Sequence, residues 1–151
     1  TAAGVEVVDD YAHHPAEIRA TLAAARERAP GRVVVVFQPH LPSRTRALGP
    51  ELAEALGGAD VAIVTEIYLA REPADPDVTG RSVAERVPAP ARAVFAPTLA
   101  DAADAVMADV RPGDLILTMG AGDITTLGKE LVARLERLSG DADRDPRTDP
   151  A

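Results

Sequence analysis

The chain has 151 residues, enough for one domain with its own core, and its 16 Lys and Arg against 24 Asp and Glu leave a formal charge of −8. That balance argues against nucleic acid and against an anionic membrane surface as partners, and the lack of cysteine excludes disulfides, a thiolate nucleophile and Cys-ligated zinc. No apolar run reaches membrane-spanning length and no signal-peptide pattern is present, so the expectation is a soluble cytoplasmic protein.

Apolar, β-branched runs recur along the chain. "VEVV" (Val5–Val8) comes first, and Pro15 to about Ala29 follows as a helix with Ile18, Leu22 and Ala25 on one face. "RVVVVF" (Arg32–Phe37) leads to a helix over Ser43–Leu56 that ends at Gly57–Gly58. "DVAIVT" (Asp60–Thr65) precedes a short helical segment at Ser82–Arg86. "RAVFA" (Arg92–Ala96) is followed by a helix from Thr98 to about Val110, with Thr98 and Asp101 spaced for a capping box. "DLILTM" (Asp114–Met119) leads to a closing helix over Thr125–Leu138. Strands without polar alternation are buried on both faces. Alternating with helices, they predict an α/β fold: a Rossmann-like, doubly wound and mostly parallel sheet of about five or six strands, with helices on both faces. The last stretch, residues 139–151, has no apolar side chain larger than Ala and is expected to be disordered.

In such sheets ligands bind beyond the carboxyl ends of the strands. The loops there are "DDYAHHP", "QPHLPSRTR", "TEIYLAREPADPDVTG" and "TMGAGD", whereas the opposite connections are short and bland. Asp9 and Asp10 read either as a solvated strand end or as acceptors for ribose hydroxyls or an amine. A receiver-type phosphoacceptor is a poor fit, because the third strand ends in Thr65 and Glu66. His13 and His14 precede a helix N-terminus, where free amides and the dipole favour an anion; the alternative is that one of them caps the helix and the other is solvated. His40 could share this rim, but the set does not make a zinc site. Arg44 and Arg46 open a helix, where cations are unfavourable unless an anion compensates them. Arg44 is the candidate for a bidentate carboxylate or phosphate contact, and Arg46 is more simply solvated. "GAGD" (Gly120–Asp123) reads equally as a tight turn with Asp123 as cap or as a place where a ligand meets bare backbone. It is not a complete dinucleotide fingerprint, and there is no Walker motif.

Taken together, "DDYAHHP", "FQPH…SRTR" and "TMGAGDI", with "EIYLARE" between them, resemble the C-terminal domain of the Mur ligase family from about Val5 to Leu138, and among its members the alanine-adding ones. The resemblance implies residues 1–138 as the Rossmann-like third domain of a three-domain enzyme. The UDP-binding N-terminal domain and the P-loop-bearing central domain would lie outside this chain. The implied reaction is ATP-dependent addition of L-alanine to UDP-N-acetylmuramate in peptidoglycan synthesis, with ATP and Mg2+ bound mainly by the central domain and no metal site here. By resemblance, Asp10 contacts the ATP ribose and His13 lies near its phosphates. Tyr11 faces the muramyl substrate and alanine, Arg44 holds the alanine carboxylate or acyl phosphate, and Gly120, Gly122 and Asp123 line the substrate side. Many members carry Arg where this chain has Leu41, and Tyr or a similar residue at Pro42, so a two-arginine clamp would have to draw on Arg46. The isolated domain is expected to be inactive. The alternatives are a stand-alone nucleotide-binding or regulatory domain, or the C-terminal domain of another amino-acid-adding Mur ligase.

Overall fold

A strand rich in apolar side chains needs cover on both faces, and three strands of this protein are covered at every position. The computed structural model describes residues 1–142. The elements run β1 (Glu6–Asp10), α1 (Pro15–Arg28), β2 (Val33–Phe37), α2 (Pro42–Leu56), β3 (Val61–Val64), α3 (Gly80–Ala84), β4 (Arg92–Phe95), α4 (Leu99–Asp109), β5 (Leu115–Met119), a 3-10 turn (Asp123–Thr126) and α5 (Leu127–Ala142). The five strands form one sheet in the order β1-β5-β2-β3-β4, with every neighbouring pair parallel. Every residue of β5, β2 and β3 is buried. The sequence reads β1 and β4 as equally covered, but they are edge strands and remain partly exposed.

Adjacent residues of a strand point to opposite faces, so each central strand feeds two cores. Val33, Val35, Phe37, Leu115, Leu117 and Met119 pack with Ile18 and Leu22 of α1, Leu52 and Leu56 of α2, and Val83 of α3. Val34, Val36, Ile63 and Ile116 pack with Ala102 and Val106 of α4 and with Leu127, Leu131 and Leu135 of α5. With few aromatics available, β-branched and leucine side chains fill both layers, as expected from the composition.

The helix boundaries have local causes. Pro15 opens α1, and Glu17 reaches back to accept the amides of His13 (3.0 Å) and His14 (3.4 Å). Thr98 and Asp101 form the anticipated reciprocal cap of α4: the Asp101 amide donates to Thr98 Oγ1 at 3.0 Å, and the Thr98 amide donates to Asp101 Oδ2 at 3.1 Å. The Ser43 amide at the start of α2 donates to Glu72 Oε2 at 2.9 Å, a cap supplied from 29 positions away. Gly57 follows α2 without entering the left-handed region (φ −60°). Its lack of a side chain serves proximity instead, since a Cβ there would lie 2.6 Å from Pro88 Cγ. The last helix extends to Ala142, so residues 139–142 are helical rather than disordered as expected. The rest of the anticipated tail, residues 143–151, lies outside the described residues.

The rim at the amino ends of the strands is not bland. Arg32 donates to both carboxylate oxygens of Asp114 (3.0 and 2.8 Å) and to Asp109 Oδ2 (2.9 Å), and Asp109 also takes Arg92 (2.7 Å) and Arg111 (3.1 Å). The hydrogen bond from Arg32, and then that from Arg111, hold the Asp109 carboxyl down at about 2. Asp114 is 3% exposed and its charge is paired bidentately, as burial of a carboxylate requires. Among the described residues no helix is long and apolar enough to cross a membrane.

Candidate functional site

Because the strands are parallel, the loops after β1, β2, β3 and β5 emerge at the same end of the sheet. The β1 loop is ordered by its own aspartates. Asp9 Oδ1 accepts from the Thr118 hydroxyl (2.8 Å), while Asp10 accepts from the Ala12 amide through Oδ1 (2.7 Å) and from the Thr21 hydroxyl through Oδ2 (3.3 Å). Asp10 is therefore partly spent on shaping the loop. Tyr11 next to it is 67% exposed and free to meet another surface. His13 Nδ1 lies 2.9 Å from the Tyr11 carbonyl. A carbonyl only accepts, so Nδ1 carries the proton and Nε2 is the acceptor of the neutral ring. His14 is the N-cap residue of α1. Two of the amides expected to welcome an anion here already donate to Glu17, whose carboxyl is held below its usual range first by the His13 amide.

The β2 loop carries Gln38, His40 and the two arginines. Arg44 Nη1 lies 3.2 Å from His40 Nδ1, and among the described residues Arg44 has no carboxylate partner. Arg46 is turned away: it pairs with Asp75 and lies 4.0 Å from Asp77, so it does not supply a second guanidinium beside Arg44. Leu41 adopts φ +66°, a conformation uncommon for a side chain of its size, at the point where the loop turns into α2.

The "GAGD" turn owes its glycines first to neighbours within the chain. A Cβ on Gly120 (φ +148°) would lie 2.8 Å from the Gln38 carbonyl, and one on Gly122 would lie 2.5 Å from Gln38 Oε1 and 2.6 Å from Tyr68 Cγ. Asp123 accepts from Gln38 Nε2 at 2.6 Å rather than standing free.

Three residues of this rim were not picked out as site residues by the motif reading: His40, Gln38 and Tyr68. His40 is half-buried, and its ring centroid lies 6.5 Å from that of His13 and 5.7 Å from that of Tyr68. Burial, then Arg44, His13 and Arg71, hold His40 below the ordinary imidazole range, with Glu72 opposing. Gln38 is 6% exposed at a strand end, a polar residue in an apolar run, and that was the available signal. Tyr68 lies in the "EIYLARE" stretch that belongs to the resemblance, but its partners come from other loops and its role was not legible there.

The rim thus gathers three imidazoles and an arginine without a carboxylate partner in a protein of net charge −8. A guanidinium so presented can take a carboxylate or phosphate through its planar fork. Among the described residues no three His, Cys, Asp or Glu side chains converge to hold a metal.

Residues 1–122 match the family model described as Mur ligase, glutamate ligase domain. The UDP-N-acetylmuramate–L-alanine ligase of Kineococcus radiotolerans is 59% identical over 133 residues, a span of 87% of this chain and 28% of that protein. The enzyme of the same name from Saccharopolyspora erythraea is 54% identical over 144 residues, covering 94% of this chain and 29% of that protein. The chain thus spans about three tenths of the length of these curated relatives. Among solved structures, the UDP-N-acetylmuramate–alanine ligase of Thermotoga maritima superposes with a TM-score of 0.71 at 30% identity, over 89% of this chain and 27% of that one.

Proposed function

This chain belongs to the Mur ligase family through its glutamate ligase domain, and on that premise we propose that it serves as the C-terminal domain of a cytoplasmic, ATP-dependent ligase that joins L-alanine to UDP-N-acetylmuramate in peptidoglycan synthesis. The observation that carries this reading is Arg44: a guanidinium at the ligand rim, braced by His40 at 3.2 Å and without a carboxylate partner among the described residues. The high identity to two enzymes of that name supports it independently.

In the proposed reaction the muramyl carboxylate attacks the γ-phosphate of ATP, displacing ADP and giving an acyl phosphate. The alanine amine then adds to the acyl carbon, and the tetrahedral intermediate collapses with loss of inorganic phosphate. This chain's residues would position and enclose the reactants. Arg44 holds the alanine carboxylate or the acyl phosphate, Tyr11 covers the muramyl side, Asp10 accepts from the ribose and His13 faces the phosphates. Gly120, Gly122 and Asp123 would shape the substrate side through the loops they fix. Arg46, occupied by Asp75, is left out of the carboxylate contact. By this reading the magnesium ion and the phosphate-binding loop belong to the remainder of the ligase. Closure of this domain then excludes water and sets the attack geometry.

A chimera tests the proposal. The chain replaces the matching segment of the Kineococcus radiotolerans ligase, and phosphate release is followed with ATP, Mg2+, UDP-N-acetylmuramate and L-alanine. Alanine-dependent turnover by the chimera, and none by the chain alone, is the expected result. A folded chimera without alanine-dependent turnover would refute it.

A further inference from the structure

We infer that Tyr68 is a positioning residue: its ring fixes the His40 imidazole in the orientation that turns Nδ1 to Arg44 as a hydrogen-bond acceptor, and so aims the guanidinium into the ligand rim. The inference rests on the reading above for what Arg44 binds, but not for the geometry itself.

The donor and acceptor roles follow from chemistry. Arg44 Nη1 and His40 Nδ1 are 3.2 Å apart, and a guanidinium has no acceptor. His40 Nδ1 must therefore present a lone pair, with the proton on Nε2. A protonated ring, or the opposite tautomer, would set N–H against N–H and release Arg44.

Tyr68 holds the ring so that Nδ1 keeps facing Arg44. Its ring lies almost parallel to the His40 ring, with centroids 5.7 Å apart and planes at 15°. The backbones of the two loops are zipped on either side of the pair: the Tyr68 amide donates to the Pro39 carbonyl at 2.8 Å, and the Leu41 amide donates to the Tyr68 carbonyl at 2.9 Å. Beneath, Tyr68 rests on bare backbone, since a Cβ on Gly122 would come within 2.6 Å of its Cγ. Tyr68 thus ties the loops after β2, β3 and β5 into one support for His40. Among the described residues its hydroxyl has no hydrogen-bond partner, so the ring rather than the phenol carries the role. The charged and titratable groups facing His40 are Arg44 from α2, His13 from the loop after β1, and Arg71 and Glu72 from the loop after β3. Burial, then Arg44, His13 and Arg71, favour the neutral ring over the one opposing carboxylate, Glu72.

The experiment is long-range 1H–15N NMR of the imidazoles in this chain, followed through a pH titration for wild type, Tyr68→Phe, Tyr68→Ala and Tyr68→Leu. Wild type and Tyr68→Phe should hold His40 in the Nε2–H form at pH 7.5 and titrate below 6.5. Tyr68→Ala and Tyr68→Leu should show mixed tautomers and a midpoint moved up towards 6.5; the leucine variant keeps bulk on Gly122 should alanine loosen the loop. A His40 tautomer and midpoint indifferent to both substitutions would overturn the inference. In the chimeric ligase, Tyr68→Ala should raise the alanine KM between about tenfold and a hundredfold, leave the ATP KM unchanged, and be rescued by Tyr68→Phe. If the imidazole responds but the alanine KM does not, the positioning stands and the assignment of Arg44 to alanine is what fails.

Discussion

Gln38 and Asp123, 85 positions apart, are joined by a 2.6 Å hydrogen bond from Nε2 to Oδ1, while Gln38 Oε1 accepts from the Ile124 amide at 3.2 Å. One buried amide thus fastens the end of β2 to the turn after β5, and a glutamine is the side chain that can both donate and accept there. Gln38→Leu strands the Ile124 amide and leaves Asp123 unpaired. It should cost about 1–3 kcal/mol, read as a shift in the midpoint of urea unfolding. Gln38→Glu should cost at least as much, because it offers no donor and sets two carboxylates together.

Gly122→Ala should destabilise by about 1–3 kcal/mol, because the new methyl group overlaps Gln38 Oε1 and Tyr68. Gly140, in the last helix, has nothing within 4 Å of a built Cβ. Gly140→Ala should stabilise by about 0.5 kcal/mol through helix propensity. Thermal unfolding of the two variants side by side separates crowding from any general intolerance of alanine.

Asp10→Ala and Asp10→Asn should part company. Alanine removes the acceptor for the Ala12 amide and the Thr21 hydroxyl and should lower stability by about 1–2 kcal/mol. Asparagine keeps an oxygen for the amide and should stay close to wild type. In the chimeric ligase both should weaken ATP by about tenfold or more if the carboxylate receives the ribose hydroxyls, a charge-assisted contact worth roughly 1.5–3 kcal/mol. An ATP KM that follows stability rather than charge would assign Asp10 to the loop alone.

Arg44→Lys should not restore function to the chimeric ligase, since an ammonium lacks the planar fork, and the alanine KM should rise about tenfold or more. Arg46→Lys should be nearly silent in kinetics, because Arg46 is exposed and engaged with Asp75. Neither change should move the unfolding temperature by more than the equivalent of about 0.5 kcal/mol. Equal effects at both positions would return Arg44 to an ordinary surface role.

Stability should fall in two acid windows. The folded state holds His40 below 6.5, so the unfolded chain binds its proton first and acidification below that value favours unfolding. Asp109 is held at about 2 against an ordinary 3.8, so its contribution is complete above 3.8 and lost as the pH falls towards 2. His40→Gln should flatten the upper window and Asp109→Asn the lower one, in urea midpoints measured from pH 7 to pH 2.

The alternation of apolar runs with amphipathic stretches was sufficient to specify a parallel α/β sheet, because uninterrupted Val, Ile and Leu can be satisfied only by cover on both faces. The caps at Thr98 and Pro15 were legible for the same reason: their causes lie within a few residues. The ligand rim was legible as a set of loops, since parallel strands must place their carboxyl ends together. What each side chain does there was decided by contacts between loops. The strand order put β1 and β4 at the edges. The acidic 70s loop took Arg46 through Asp75 and left Arg44 for His40, and Gln38 and Tyr68 claimed the space that makes Gly120 and Gly122 obligatory. Local spacing carries propensity and periodicity, but a hydrogen bond across 85 positions exists only once the chain has closed.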